Sequence, residues 1–305
     1  MSKISHVNYD IQFEPIFTNF IFNGTEIISL TTTPTDSFTL NAAELEINNC
    51  HLIYKGKTIK VKSSLNQKKE TLNIKASKKV SGKVKICIDF KGTLNDRLLG
   101  FYRSKYKDTS GKTKYLATTQ FEAADARRAF PCWDEPAIKA TFDVSLLVEK
   151  HMTAISNMPE KSKNNVNSKV LVEFQRTPIM STYLLYLGVG EFEFLQDKLR
   201  NIKIRVITTK GNKKKAKLSL ELTKKFLSEY EKYFGIKYPL PKLDMLAIPD
   251  FAAGAMENWG AITFRETILL YDPKTSSTRT KQYIAEVISH EIAHQWFGNL
   301  VTMKW

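Results

Sequence analysis

The sequence has few cysteines and no long hydrophobic run, and these two shortages exclude several classes of protein. Its 305 residues include only Cys50, Cys87 and Cys132, too few and too scattered for a disulfide framework or a cysteine zinc site. No run of about 18 apolar residues occurs, so we expect no transmembrane helix. The N-terminus lacks the charged and then apolar pattern of a secretory signal, and a reducing, cytoplasmic location is the simplest expectation.

Acidic residues are fewer than basic ones, and the net charge is therefore +15, from 46 Lys and Arg against 31 Asp and Glu. The excess lies mostly in two lysine-rich stretches, residues 55–91 and 210–217. A basic surface attracts nucleic acid, anionic membranes or acidic peptides. No aromatic-rich stacking motif is interleaved with these lysines. We therefore interpret them as solvated strands and loops, and we expect no specific nucleic-acid partner.

The first half of the chain shows the alternation of β-strands. Residues 83–90 are a clear example, with Val84, Ile86 and Ile88 on one face, and similar short runs recur between polar turns over residues 7–150. The polar stretch at 162–168 is predicted to be a hairpin tip. These patterns predict a β-rich N-terminal domain.

The pattern becomes helical after about residue 195. Five apolar side chains recur at intervals of four residues, which is helical spacing: Leu218, Leu222, Phe226, Tyr230 and Phe234. Gly235 is a suitable stop signal, and a second helix is predicted over 280–297 with Ser277 or Thr280 as its cap. We therefore predict an α+β protein with a β-rich domain at 1–195 and a second domain at 196–305.

One short segment, His290-Glu291-Ile292-Ala293-His294, has the pattern of a metal site. Histidines four apart on a helix share a face, so both imidazoles can face one metal ion. Zinc suits neutral imidazole nitrogens, and Glu291 is placed to take a proton from a water at the metal. The alternative is a metal-free histidine pair on an amphipathic helix. The remaining histidines stand alone in strand-like sequence and are interpreted as surface or core residues.

A third zinc ligand is not evident near this motif. A catalytic zinc usually has three protein ligands, but no acidic residue lies between His294 and Trp305. From the residues alone, the third ligand comes from earlier in the chain, comes from elsewhere, or is missing.

Three segments, taken in order, resemble the M1 family of zinc aminopeptidases, the gluzincin group that includes aminopeptidase N and the tricorn-interacting factors. They are residues 119–122 with 125–136, residues 254–260, and residues 290–302. Weaker similarity extends over nearly all of the chain. The resemblance implies a saddle-shaped β domain followed by a thermolysin-like catalytic domain, here incomplete.

The resemblance also implies roles for individual residues. His290 and His294 are the implied zinc ligands, and Glu291 is the implied general base. Glu257 would pair with the free α-amine of a peptide substrate, with Glu122 as the second amine-binding acid.

Further substrate contacts follow from the same resemblance. Gln120 would form a wall of the first side-chain pocket. The segment that carries Glu257 would present its backbone to an extended substrate, and its implied substrate-binding residues are Gly254, Ala255, Met256 and Asn258.

Structural interpretations of these acids remain open. Glu122 is close enough in sequence to pair with Arg127 or Arg128. Asp134 and Glu135 are expected to make structural ion pairs or turn contacts. Glu257 is also compatible with an ordinary loop position.

The chain departs from the family pattern at its C-terminal end. Family members supply a glutamate ligand roughly 19 residues after the second histidine, which here falls beyond Trp305. The transition-state tyrosine and the helical C-terminal domain of the family would lie further on. We therefore expect an N-terminal portion that holds one zinc per chain, with the third ligand beyond residue 305, and that is inactive alone.

Two other functions compete with a metallo-aminopeptidase. The first is the leukotriene-hydrolase-like branch of the family, which combines epoxide hydrolase and aminopeptidase activity. It typically has Gly where this sequence has Ala255, which counts against it. The second is a zinc-free module whose β domain and lysines bind a partner.

Overall fold

The computed structural model describes residues 4–305, so the first three residues of the predicted N-terminal domain lie outside the described residues. In chain order the strands are β1 (Ile4–Ile16), β2 (Ile21–Asn41), β3 (Glu46–Tyr54), β4 (Lys57–Asn66), β5 (Thr71–Thr93), β6 (Gly100–Lys107), β7 (Thr113–Gln120), β8 (Thr141–Glu149), β9 (Thr153–Ser156), β10 (Glu160–Val166), β11 (Lys169–Phe174), β12 (Leu187–Gly190), β13 (Phe192–Leu199), β14 (Ile202–Thr209), β15 (Lys242–Ile248), β16 (Ala255–Met256) and β17 (Ala261–Arg265). The α-helices are α1 (Lys217–Phe234), α2 (Glu266–Leu269) and α3 (Thr278–Ala293).

An eight-stranded sheet forms most of the first part of the chain, in the order β10-β11-β8-β1-β2-β5-β3-β4. Alternate side chains of β1 and β2 are buried, as the period-2 pattern predicts. Aromatic residues fill the core beneath the sheet. Tyr9 and Phe142 are register partners in the parallel pair of β1 and β8, and their rings stack with centroids 5.2 Å apart.

Two smaller sheets complete the fold. A four-stranded sheet has the order β6-β7-β12-β9, and a five-stranded sheet has the order β13-β14-β15-β17-β16. The second of these pairs β14, β15 and β17 in parallel. Helix α1 connects β14 to β15, and its residue Tyr230 meets Ser289 of α3, with hydroxyl oxygens 2.6 Å apart. The predicted fold class, α+β with a β-rich N-terminal domain, is confirmed.

Several local predictions are also confirmed. Helix α1 ends at Phe234, and Gly235 follows it in the left-handed conformation with φ of 65°. Ser277 caps α3, because its side chain accepts a hydrogen bond from the backbone N–H of Thr280. The lysines between residues 55 and 85 are exposed, as their interpretation as solvated positions requires.

Two local predictions are wrong. The hairpin tip is narrower than 162–168, because β10 continues to Val166 and the turn is confined to Asn167 and Ser168. The second helix ends at Ala293 rather than at residue 297, and His294 is its C-cap. None of the helices within residues 4–305 has the length and apolar character needed to span a bilayer.

Candidate active site

The two motif histidines converge at the C-terminal end of α3. Their Nε2 atoms are 2.9 Å apart, and their rings meet edge to face with centroids separated by 4.6 Å. The other ring nitrogen of His294, Nδ1, lies 2.9 Å from the carbonyl oxygen of Phe297. A carbonyl can only accept, so Nδ1 carries the proton and Nε2 of His294 keeps its lone pair facing His290. When Nε2 of His290 is also unprotonated, two imidazole lone pairs face one point, an arrangement that fits a cation such as Zn²⁺.

Glu291 lies beside this pair but points into the protein. Its side chain is buried, and its Oε2 atom has no hydrogen-bond partner among the described residues. Burial raises the pKa of Glu291 to about 8, with further contributions from the nearby carboxylates Glu257 and Glu122. Without a cation, this carboxyl is therefore held largely protonated at neutral pH. A carboxyl whose pKa is close to neutral suits a group that takes and returns protons.

Glu257 extends the acidic cluster from the opposite side. It lies in the connection between β16 and β17, is 6% exposed, and places Oε1 3.9 Å from Nδ1 of His294. Ligand atoms of Glu257, Glu291 and His294 all lie within 4.8 Å of one another, and they form the one group of three or more metal-ligand side chains found in residues 4–305. That group overlaps the predicted metal pair at His294, while His290 contacts the cluster through its ring.

Gln120 and Glu122 come from the first part of the chain. Gln120 is the last residue of β7, and its buried Oε1 has no partner in the described structure. Partial burial and the proximity of Glu257 raise the pKa of Glu122, whereas His294 lowers it. The structure therefore brings Glu122 close to the cluster despite a separation of more than 130 residues from Glu257 in sequence.

The structural interpretation of Glu122 is wrong. Arg127 binds Asp134 and Glu70, which also confirms the predicted ion pair of Asp134. Arg128 binds Asp125 and Glu44 and shares Glu70 with Arg127. Neither arginine contacts Glu122 within the described residues, so its carboxylate is not neutralised by them.

The segment before Glu257 forms an edge strand. Ala255 and Met256 make up β16, which pairs with β17 on one side and is the last strand of its sheet. Gly254 continues this ladder, since its carbonyl accepts a hydrogen bond from Arg265 N–H. The unpaired side of an edge strand can bind an extended peptide through backbone hydrogen bonds. Asn258 is fully buried and donates to the hydroxyl of Thr263, a structural contact.

Unpaired polar atoms are concentrated around this cluster. Eight buried side-chain N or O atoms lack a partner in the described part of the chain, and the two outside the site both belong to Glu26. The other six are Gln120 Oε1, Asn258 Oδ1, Trp259 Nε1, Glu291 Oε2, Gln295 Oε1 and Asn299 Oδ1. Buried polar groups normally find partners, so this concentration indicates a place where ligands complete the bonding.

Sequence reasoning missed several residues that hold the site together. The amides of Asn299 and Gln295 both donate to the backbone carbonyl of Glu257. Asn157, far away in sequence, donates to the carbonyl of Trp259, and Tyr183 donates to that of Gly298. Asn299 and Gln295 belong to a segment that the resemblance already marked. Nothing local in the sequence identifies Asn157 or Tyr183.

Comparison with known proteins finds matches along most of the chain. The family description "Peptidase M1 N-terminal domain" matches residues 5–184, and "Peptidase family M1 domain" matches residues 218–305. The chain is 45% identical to the puromycin-sensitive aminopeptidase of Caenorhabditis elegans over 306 residues, which cover 98% of this chain and 32% of the relative. It is 43% identical to the alanine/arginine aminopeptidase of Saccharomyces cerevisiae over 309 residues, which cover 100% of this chain and 36% of the relative. The chain thus spans about a third of the length of these relatives.

Proposed function

The chain belongs to peptidase family M1, and on this premise we propose that it forms the substrate-recognising and metal-binding part of a zinc metallo-aminopeptidase. The reaction is removal of single residues from the N-termini of peptides. The relatives that the chain matches are named as aminopeptidases, which supports this class of activity. A division into domains at 1–195 and 196–305 and a cytoplasmic place of action are parts of the proposal. The three unpaired cysteines agree with a reducing compartment.

The metal site of the proposal consists of His290 and His294. The observation that carries the proposal is the 2.9 Å distance between their Nε2 atoms. The two atoms meet beside three carboxylates, and no lysine or arginine of residues 4–305 neutralises any of these. Zinc, when bound, would polarise a substrate carbonyl and make a water easier to deprotonate. The role of Glu291 would be to accept a proton from the attacking water and to pass it to the leaving amine. A third ligand beyond residue 305 and inactivity of the isolated chain remain predictions.

Glu257 and Glu122 recognise the substrate's α-ammonium in this proposal. Their proximity makes two negative charges costly unless a cation lies between them, and an ammonium group supplies that charge. Bonds between ionised partners are strong in a buried site. Binding of the ammonium at these acids places the first peptide bond at a constant distance from the histidines. This explains why a single N-terminal residue is removed. Gln120 borders the pocket for the first side chain.

The edge strand aligns the rest of the substrate. Ala255 and Met256 present backbone groups on the open side of β16, and an extended peptide can add there as a further strand. Gly254 and Asn258 flank this strand and belong to the proposed binding segment. No observation favours the epoxide-hydrolase function or a zinc-free binding module over the aminopeptidase.

The experiment compares the wild-type protein at its natural length with Glu257→Gln. We expect kcat/KM for an aminoacyl anilide to fall more than 10-fold, since removing one partner of a buried charge pair costs about 2–5 kcal/mol. Zinc content, measured by mass spectrometry, should not change. Glu286→Gln, at an exposed position on α3, is the matched control and should retain full activity. Equal cleavage of amino-blocked and free peptides by the wild type would refute the proposal.

A further inference from the structure

The turn that follows α3 lies between the proposed metal ligand and the proposed amine-binding acid. Gly298 has φ of 136°, in the region that favours glycine, and a Cβ atom there would lie 3.2 Å from Nδ1 of His294 and 3.6 Å from Oε1 of Glu257. A side chain at this position would therefore crowd the imidazole and touch the carboxylate, whose Oε1 lies 3.9 Å from the same Nδ1.

Asn299, the next residue, is hydrogen-bonded to both His294 and Glu257. Its backbone N–H donates to the carbonyl of His294 over 3.1 Å, and its side-chain amide donates to the carbonyl of Glu257 over 3.0 Å. Asn299 is 1% exposed, so neither bond competes with bulk water. Among the described residues, this is a direct hydrogen-bonded link between the backbone of the metal-ligand histidine and that of the amine-binding glutamate.

The other amide at this carbonyl is a weaker link. Gln295 Nε2 lies 3.5 Å from the carbonyl oxygen of Glu257, and its shorter bond, 3.1 Å, goes to the carbonyl of Glu291 in its own helix. The side chain of Gln295 thus bonds more closely to α3 than to the Glu257 loop. Of the two amides, that of Asn299 therefore makes the closer contact with the carbonyl of Glu257.

We infer that Asn299 is a positioning residue that sets the spacing between the metal site and the amine-binding acids, and thereby the length of substrate that is removed. The inference rests on the proposed function and deepens it. Asn299 acts through its side-chain hydrogen bond to the backbone carbonyl of Glu257.

The chain offers a closely matched control in Asn157. It is also an asparagine with 1% exposure, and its amide also donates to a carbonyl of the same loop, that of Trp259, over 2.9 Å. Asn157 approaches the loop from β9 and makes no bond to His294 or Glu257. The Asn157 side chain also bonds to the carbonyl of Leu184 and to the N–H of Tyr186, so Asn157→Leu should destabilise the protein at least as much as Asn299→Leu without breaking the link.

The first measurement is the Glu257–His294 separation in crystal structures of the two variants of the natural-length protein. We expect Asn299→Leu to move the Glu257 carboxylate by about 1 Å or more, a displacement that can cost about 100-fold in rate, and Asn157→Leu to leave it in place. An unchanged separation in Asn299→Leu overturns the inference. If Asn299→Leu does not fold, Asn299→Ser, whose shorter hydroxyl side chain does not reach Glu257, takes its place.

The second measurement is calorimetric binding of leucinamide and of its des-amino analogue. The preference of the wild type for the amine should fall at least 10-fold in Asn299→Leu and persist in Asn157→Leu. A purely structural role would weaken both ligands equally in both variants and would overturn the inference. A wild type with no preference for the amine would refute the proposed function instead, and the crystallographic separation would still decide the role of Asn299.

Discussion

The molecule contains two buried clusters of charged side chains, and only one of them pairs its carboxylate with cations. In the first, which we call the paired cluster, Asp244 binds Lys242 through Nζ at 2.6 Å and Arg205 through two nitrogens at 2.6 Å each. Burial alone would raise the pKa of Asp244, but these two cations outweigh it and the pKa is lowered. Burial lowers the pKa of Lys242 to about 8, although Asp244 opposes the shift.

The second cluster, which we call the acidic cluster, consists of Glu122, Glu257 and Glu291. No lysine or arginine of residues 4–305 pairs with any of them, and the pKa of Glu291 is raised to about 8. The paired cluster also has a structural task, since Lys242 donates to the carbonyl of Gly260 behind the Glu257 loop. The fold thus neutralises buried charge where only structure is needed. It leaves charge unbalanced where, in our proposal, a metal ion and an ammonium bind.

The largest expected effect tests the catalytic role of the acidic cluster. Glu291→Gln should lower kcat by about 10²–10⁴-fold, the usual contribution of a general base. Zinc content should stay the same, because the histidines are unchanged. Glu286→Gln on the same helix serves as the control. A Glu291→Gln variant with wild-type kcat would remove Glu291 from the mechanism.

Breaking the paired cluster should chiefly affect stability. Asp244→Asn leaves Lys242 and Arg205 buried without their anion, and we expect the free energy of unfolding to fall by about 3–5 kcal/mol. Asp197→Asn, in the more exposed pair with Lys224, should cost no more than about 1 kcal/mol. Urea denaturation measures the free energy of unfolding of both variants. Equal losses would contradict the expectation that the buried pairing of Asp244 matters more than the exposed pairing of Asp197.

Relieving the acidic cluster should stabilise the metal-free protein. The pKa of Glu291 is about 8 in the folded protein against an ordinary value of 4.5, so the folded state binds more protons between these values. Stability of the metal-free wild type should therefore fall as pH rises from about 5 to 8. At pH 8, Glu291→Gln should raise the free energy of unfolding by about 1–3 kcal/mol. If Glu291→Gln were less stable than the wild type at pH 8, the negative charge of Glu291 would be stabilised by its surroundings and this prediction would be wrong.

The smallest expected effect concerns Glu26, an isolated buried acid in the eight-stranded sheet. Burial raises its pKa well above the ordinary value of 4.5, which favours the uncharged form in the folded protein near pH 5. Glu26→Gln should then change the free energy of unfolding by less than about 1 kcal/mol at pH 5. As pH rises, the variant should become more stable relative to the wild type. Urea denaturation at several pH values measures this difference. If the wild type were more stable than Glu26→Gln at pH 8, the conclusion that Glu26 is an unpaired buried acid would be contradicted.

Local patterns predicted much of the fold and part of the site. Alternation identified the strands, four-residue spacing identified α1, and the motif identified His290 and His294. The predicted end of α3 is wrong because the N–H groups of Gln295 and Trp296 bond to carbonyls three residues back, a change that apolar spacing does not reveal. The roles of Asn157 and of the pairing between Arg205 and Asp244 are not predicted for a different reason. Their partners come together only in the folded chain, and no periodicity connects them.

Zinc titration of the chelator-treated protein at its natural length, followed by thermal unfolding, tests the central claim most directly. If the histidine pair and the unbalanced acids form a metal site, zinc at 100 times its dissociation constant should add about 2.7 kcal/mol of stability and raise Tm by several degrees. The rise should vanish in a variant with His290→Ala and His294→Ala. No rise in the wild type, or an equal rise in the double variant, would contradict the account.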